Sequence, residues 1–157
     1  MSEDSWTRLR QQLQDQLSTI ESWEPCDPDP AALRCEFSRH RTLAHLRAGQ
    51  EQWLVVLVAF LERDNPSVKI LHPWRQFAAE HYDGLPWEVH MSKFVADRRT
   101  WLARLDGADP ERPGKWNGKP DTVGNLTSRL ADHEAHHIKV LCGVGVYSGA
   151  RRSLRKA

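Results

Sequence analysis

Hydrophobic residues recur at intervals of three and four along most of the chain, which is the spacing of one face of an α-helix. The first such segment covers about residues 4–22. Its apolar positions are Trp6, Leu9, Leu13, Leu17 and Ile20. Three prolines in residues 24–30 end this pattern, because proline cannot continue a helix. The segment therefore predicts a first helix followed by a loop.

A second helical pattern begins at Ser38, which is an acceptable N-cap, and continues to about Arg63. Its second half is apolar nearly all round, from Trp53 to Leu61, so it must be covered on several sides. Burial in the core of a bundle explains this pattern. A partner subunit that packs against the spare face is the more specific alternative, and both interpretations stay open at this point.

The remaining pattern predicts two more long helices and a long connection. In residues 64–86, Pro73 opens a predicted short helix through His81, and Pro86 suits the first turn of the third long helix. Residues 106–120 are rich in glycine and proline and are predicted to form a loop. The last helix is predicted to begin near Thr122 (or one residue earlier) and to continue to about Gly143.

Four long helices without a credible strand predict an all-α domain. The expected architecture is a four-helix bundle with a long loop or a short helix between helices 2 and 3. A chain of 157 residues is long enough for one such domain. We assign residues 1–150 to the bundle and residues 151–157 to a basic C-terminal tail.

Charge and composition exclude several classes of function. Lys and Arg number 22 against 21 acidic residues, a balance that gives no support for binding nucleic acid or membrane surfaces. The first ten residues are charged and have no apolar core, unlike a signal peptide. The longest apolar run, from Trp53 to Leu61, is far shorter than the about 20 residues of a membrane span. Three cysteines, an odd count, favour free thiols, and we expect a cytoplasmic protein.

The most distinctive chemistry lies in the last helix, at His133 and His137. Both fall on the helical face that should present apolar side chains to the core. The other members of that face are Leu126, Leu130 and Leu141. A spacing of four residues brings two imidazoles onto adjacent turns, close enough to share one metal ion. Because such an ion satisfies a nitrogen on both rings, we predict metal binding rather than a hydrogen-bonded structural pair.

The same string reads H-E-x-x-H, the zinc-protease pattern in which Glu134 would be the general base. Such proteases need a third ligand downstream, and no Asp, Glu or His follows His137. This class of protease is therefore excluded, and Glu134 becomes an acid beside the site that can support the ligands. His136 lies on the flank of the helix and is expected to be exposed or to contact the ligands.

The third ligand must come from earlier in the chain, and periodicity does not select it. The upstream candidates are His40, His45, His72, His81 and His90. His45 lies on a long helix that can meet the last one, although it sits off the centre of that helix's apolar stripe.

A family resemblance selects among these candidates. The segments 41–46 and 122–138, together with 94–102, resemble the DinB/YfiT-like superfamily over most of the chain. Its hallmark is an early A-H-L-type histidine plus H-x-x-x-H on the last long helix. The resemblance implies that His45, His133 and His137 bind one divalent metal ion, zinc or nickel above all. It also implies a four-helix bundle and frequent homodimers.

The resemblance also suggests a reaction, because characterised members include metal-dependent transferases and isomerases that use low-molecular-weight thiols. Three imidazoles leave a coordination position open, which is the catalytic arrangement. We expect a metal-dependent thiol S-transferase that acts on a small-molecule electrophile, with the thiol as cosubstrate. The alternatives are a metal-dependent hydrolase, a non-catalytic metal-binding or stress-related bundle, and a purely structural domain.

Two further features concern the surroundings of the site. Arg98 lies in the middle of the apolar stripe of the third helix, either as an anion binder facing a cavity or, as we favour, as a buried partner of an acid. Trp74, Trp87 and Trp116 lie in or beside the long loops and are candidates for pocket walls.

Overall fold

The computed structural model describes residues 1–25 and 38–154, without the side chains of Asp83 and of residues 142–154. Its α-helices are α1 (Glu3–Glu21), α2 (Arg39–Glu62), α3 (Pro73–Ala79), α4 (Trp87–Leu105) and α5 (Val123–Leu154). A short 3-10 helix covers Tyr82–Gly84. The strands are β1 (Ser67–Val68), β2 (Pro113–Trp116) and β3 (Lys119–Thr122).

The helices begin where the local chemistry of the sequence predicts. The Ser38 hydroxyl accepts a hydrogen bond from the backbone N–H of Arg41 at 3.0 Å, which caps α2. Pro86 is the N-cap of α4, and Pro73 occupies the first turn of α3. The predicted short helix in the long connection is therefore present, and the long helices α1 and α2 lie within a residue of their predicted bounds.

The protein is mostly helical, as predicted. α1 and α2 each pack against both α4 and α5, while α3 packs on α2. The main core contains buried residues from all four long helices. Its fully buried members include Leu13, Leu57, Phe60, Trp101, Leu105 and Leu126.

The prediction that the chain contains no strand is wrong. Residues 113–122 form an antiparallel hairpin, and β1 adds to β2 in parallel. The predicted loop ends at residue 120, so the hairpin replaces part of that loop and the predicted first residues of the last helix. The hairpin turns at Asn117 and Gly118, whose φ angles of 49° and 80° match the type I′ geometry that Asn-Gly favours. Strands of two to four residues show no sustained alternation, so only this Asn-Gly pair could have revealed them.

The sheet positions the chain that leads into α3. The Asn117 side-chain oxygen accepts a hydrogen bond from the backbone N–H of Ile70 at 2.9 Å. The Gln52 side chain of α2 accepts one from the N–H of Leu71 at 3.1 Å. Residues 70–72 are therefore held between the hairpin and α2, and α3 begins directly after them.

The C-terminal predictions have different outcomes. α5 continues to Leu154, further than the predicted end near Gly143. Residues 155–157 of the predicted tail lie outside the described residues, so the boundary at 150 stays a prediction. The predicted free thiols of Cys26, Cys35 and Cys142 also lie outside what is described. In the described part of the chain, no helix combines the length and apolar character needed to cross a membrane.

Candidate metal centre

Three imidazoles from two helices meet at one point. His45 lies on the second turn of α2, and His133 and His137 lie on adjacent turns of α5. The Nε2 atom of His133 is 3.0 Å from that of His45 and 3.2 Å from that of His137. One ligand atom from each residue lies within 4.8 Å of the other two. The structure therefore brings together the three predicted ligands.

These distances fit a shared divalent ion. Bonds of about 2.0–2.1 Å in a tetrahedral zinc site place neighbouring nitrogens about 3.3 Å apart. The observed separations of 3.0 and 3.2 Å are close to that value. A neutral imidazole Nε2 can make only one good hydrogen bond, yet that of His133 faces two others. An ion between the rings satisfies all three nitrogens at once, so the three residues fit a divalent metal ion.

The local environment keeps the imidazoles in the neutral form that binds metals. His45 is 5% exposed, and burial, then the neighbouring His133 and His137, lower its pKa to about 3. Burial and His137 lower the pKa of His133 to about 4. Burial and the adjacent His136 lower the pKa of His137. The three rings are therefore uncharged at neutral pH.

His45 becomes a member of this group because α2 is covered on two sides. One side packs on α4 and the other on α5, so a residue off the centre of the apolar stripe is still buried. Trp74, from α3, stacks on the His45 ring with centroids 4.5 Å apart and an angle of 20° between the planes. The short helix therefore covers the triad from outside.

Two cavities open at the triad, and both are bounded by His45, His137 and Trp74. One, of about 440 Å³, continues between α2, residues 70–73 and the hairpin. The other, of about 240 Å³, continues between the first turns of α2 and the segment of α5 that follows His136. A larger groove of about 870 Å³ lies elsewhere along α2 and touches none of the three histidines.

Arg98 and Glu134 line neither of these cavities. Both side chains are fully buried, and Arg98 Nη2 donates a hydrogen bond to Glu134 Oε1 in an ion pair. Arg98 also donates to the Gln50 side chain at 2.7 Å and to the Leu13 carbonyl at 3.1 Å. Burial raises the pKa of Glu134, against the opposite effect of Arg98. The arrangement matches the favoured interpretation of Arg98 as a buried partner of an acid.

The other candidate histidines lie apart from the three Nε2 atoms. His136 is exposed, as expected, and lines the smaller cavity, while His72 lines the larger one. His90 is buried between Arg47 and the Tyr82 carbonyl. His40 hydrogen bonds to the Leu85 carbonyl, and His81 is exposed.

Among the aromatic candidates, Trp74 and Trp116 line the cavities, whereas Trp87 packs into a separate part of the core. Sequence reasoning missed Trp53, whose ring lies 5.8 Å from that of His133. It also missed Arg41, which lines the smaller cavity. Arg41 lies four residues before His45 on the same helix, and this spacing was the signal in the sequence that the two side chains share one face.

Comparisons with known proteins agree with this architecture. Residues 6–141 match the DinB superfamily. Among solved structures, YfiT from Bacillus subtilis, described as a probable metal-dependent hydrolase with an unusual four-helix bundle topology, matches with a TM-score of 0.80. The match covers 95% of this chain and 90% of YfiT at 12% identity, so it shows a shared fold. No curated protein sequence matches this chain. The family match spans most of the chain, which therefore belongs to the DinB superfamily.

Proposed function

We propose that this protein is a metal-dependent thiol S-transferase built on a four-helix bundle. It binds one zinc or nickel ion through His45, His133 and His137 and joins a low-molecular-weight thiol to a small electrophile. The observation that carries the proposal is the convergence of three neutral imidazole nitrogens at the junction of two cavities. A structural site would be closed, whereas three ligands next to open space leave a position for a substrate.

A divalent ion at this position would lower the pKa of a bound thiol or water molecule. The thiolate formed in this way is a stronger nucleophile than the thiol. The protein's part is to keep the three rings neutral by burial and to shield them from water with Trp53 and Trp74. No carboxylate among the described residues lines either cavity, and the nearby Glu134 forms an ion pair with Arg98. A water nucleophile would therefore find no carboxylate base among the described lining, only the imidazoles of His72 and His136. A coordinated thiol loses its proton to the solvent through the effect of the ion alone, and the site favours a thiol on this ground.

Hydrolysis is the second candidate, and one observation favours it. YfiT, which shares the fold, is described as a probable metal-dependent hydrolase. The same three imidazoles would serve either nucleophile, so a requirement for added thiol distinguishes the two reactions in an assay. A bundle that binds the ion without catalysis is the third outcome.

The test uses protein purified without a histidine tag. We expect one divalent ion per chain by elemental analysis and loss of that ion in His137→Gln. The matched variant His136→Gln, at the adjacent exposed histidine, should keep it. Zinc- and nickel-loaded protein is then assayed with chlorodinitrobenzene and glutathione, and with p-nitrophenyl acetate alone.

The outcomes separate the candidate functions. Metal-dependent conjugation that requires glutathione supports thiol transfer, and metal-dependent ester cleavage without thiol supports hydrolysis instead. Bound metal without either reaction indicates a non-catalytic role. Absence of stoichiometric metal, or its retention in His137→Gln, overturns the proposed site.

A further inference from the structure

The ring of His45 lacks the contact that usually fixes a metal-binding histidine. Such a histidine normally donates the N–H of its second ring nitrogen to a carboxylate, a carbonyl or a water molecule, which sets the orientation of the ring. The Nε2 atom of His45 faces that of His133, so Nδ1 is the second nitrogen. Among the described residues, His45 Nδ1 has no hydrogen-bond partner, and it is buried from solvent. Hydrogen bonding therefore does not orient this imidazole.

The flat contact of the His45 ring is with Trp74. The two ring centroids lie 4.5 Å apart with an angle of 20° between the planes, whereas the rings of His133 and His137 meet His45 at 65° and 63°. Rotation of a histidine ring about its Cβ–Cγ bond has a broad intrinsic preference, so packing has to fix it. A parallel indole does so, because turning the imidazole would drive its edge into the indole face.

Trp74 is itself held in place, although it is 44% exposed. Its backbone N–H donates a hydrogen bond to Nδ1 of His72, the N-cap of α3, at 3.3 Å. The Phe77 ring meets the indole edge-on with centroids 5.9 Å apart, and the Arg41 guanidinium carbon lies 5.2 Å from its centre. Residues 70–71, directly before the cap, are bonded to the hairpin and to α2. An indole fixed on several sides can position the ring on which it stacks.

Stacking on Trp74 should become stronger when His45 binds a metal ion. A divalent cation withdraws electron density from the imidazole that coordinates it, so the ring gains partial positive charge. The face of an indole is electron-rich and attracts positive charge more strongly than other aromatic faces do. The contact is poorly screened by water, because His45 is buried. Trp74 therefore favours the metal-bound form of His45 over the free form, and this difference adds to the metal affinity.

We propose that Trp74 is a positioning residue of the metal centre, which orients His45 by stacking in place of the missing hydrogen bond and so raises the affinity for the ion. This inference rests on the proposed function, because it requires that the three histidines bind a divalent ion. It extends that function by making the metal affinity depend on α3, a short helix outside the four long ones. Loss of a residue that orients a metal-bound histidine weakens metal affinity about 10–100-fold.

Zinc affinity of untagged protein, measured by competition with a chromophoric chelator, tests this role without any substrate. Trp74→Leu keeps an apolar side chain but removes the flat ring, and it should bind zinc about tenfold more weakly. Trp74→Phe keeps a flat ring and should stay within about threefold of the unsubstituted protein. Trp116→Leu is the matched control, because Trp116 lines the larger cavity and its indole pairs with Trp53. It should change the affinity less than about twofold.

Leucine and phenylalanine separate positioning from simple covering, because both cover the site but only phenylalanine can stack. Equal affinities in Trp74→Leu and Trp74→Phe, whether lowered or unchanged, overturn the proposal. An equal loss in Trp116→Leu also overturns it. Circular dichroism verifies that each variant is folded, and Trp74→Met, which cannot stack either, takes the place of a Trp74→Leu variant that does not fold. Absence of stoichiometric zinc in the unsubstituted protein contradicts the proposed function itself, and this role with it.

Discussion

The buried ion pair between Arg98 and Glu134 should be the most sensitive polar contact in the protein. Both side chains have no exposed surface, and the guanidinium also donates to Gln50 and to the Leu13 carbonyl. These contacts join all four long helices. Glu134 directly follows His133 on α5, so its pairing also fixes which face of α5 points toward α2. Replacing Arg98 by methionine keeps an unbranched apolar stem and removes all of these donors.

The cost of Arg98→Met can be worked from the contacts. Removing one partner of a buried pair leaves an uncompensated charge and costs about 3–5 kcal/mol. Gln50 and the Leu13 carbonyl each lose a donor, worth about 1 kcal/mol apiece. Protonation of Glu134 relieves part of the charge penalty, because burial already raises its pKa. We therefore expect a loss of about 4 kcal/mol in the free energy of unfolding.

Urea denaturation of metal-free protein, followed by circular dichroism at neutral pH, measures this loss. The control is Arg99→Met at the adjacent residue, where Arg99 pairs with Glu21 and both are largely exposed. A pair of that kind contributes less than about 1 kcal/mol. The double variant Arg98→Met with Glu134→Leu removes both charges and should recover about 2 kcal/mol. The reasoning is refuted if Arg98→Met loses no more free energy of unfolding than Arg99→Met does. It is also refuted if the double variant is less stable than Arg98→Met.

Two further predictions concern stability. Burial, then Arg47, lowers the pKa of His90 to about 4 from its ordinary 6.5, so the unfolded chain takes up a proton first as the pH falls. His90 should therefore lower the free energy of unfolding by up to about 3 kcal/mol as the pH falls between those two values, in addition to the effects of His45 and His133. His90→Gln should remove the His90 part of this dependence in urea titrations at several pH values, and an unchanged slope contradicts it. A Cβ on Gly114 would lie 2.4–2.7 Å from three atoms of the Phe60 ring. Gly114→Ala should lower the free energy of unfolding by about 1–3 kcal/mol. Gly84→Ala is the control, because its Cβ would contact no atom within 4 Å, and it should lower that free energy by less than about 0.5 kcal/mol. Equal losses in the two variants on thermal unfolding would argue against close packing at Gly114.

The meeting of His133 and His137 could be predicted from sequence because its signal is local. His133 and His137 occupy positions of α5 that helical spacing assigns to the interior, and the structure brings both into contact. His45 could not be selected this way, because its place depends on how α2 lies between α4 and α5. Only the family resemblance distinguished it from four other histidines.

Other parts of the structure depend on contacts distant in sequence. The apolar stripe of α4 indicated that Arg98 is buried, but its partner Glu134 lies on a different helix. β1 is two residues long and pairs with β2 across a separation of 48 positions, so no local sequence pattern predicts it. The cavity walls follow from the same distant pairings, since the hairpin brings Trp116 beside Trp53.

X-ray absorption of the zinc-loaded protein tests the metal site most directly. We predict three imidazole nitrogens at about 2.0–2.1 Å and, after addition of thioglycolate, one sulfur at about 2.3 Å. The His137→Gln variant, which should lose the ion, should give no three-imidazole shell after the same zinc loading. A shell with fewer than three imidazoles, or with sulfur before any thiol is added, contradicts a site made of His45, His133 and His137.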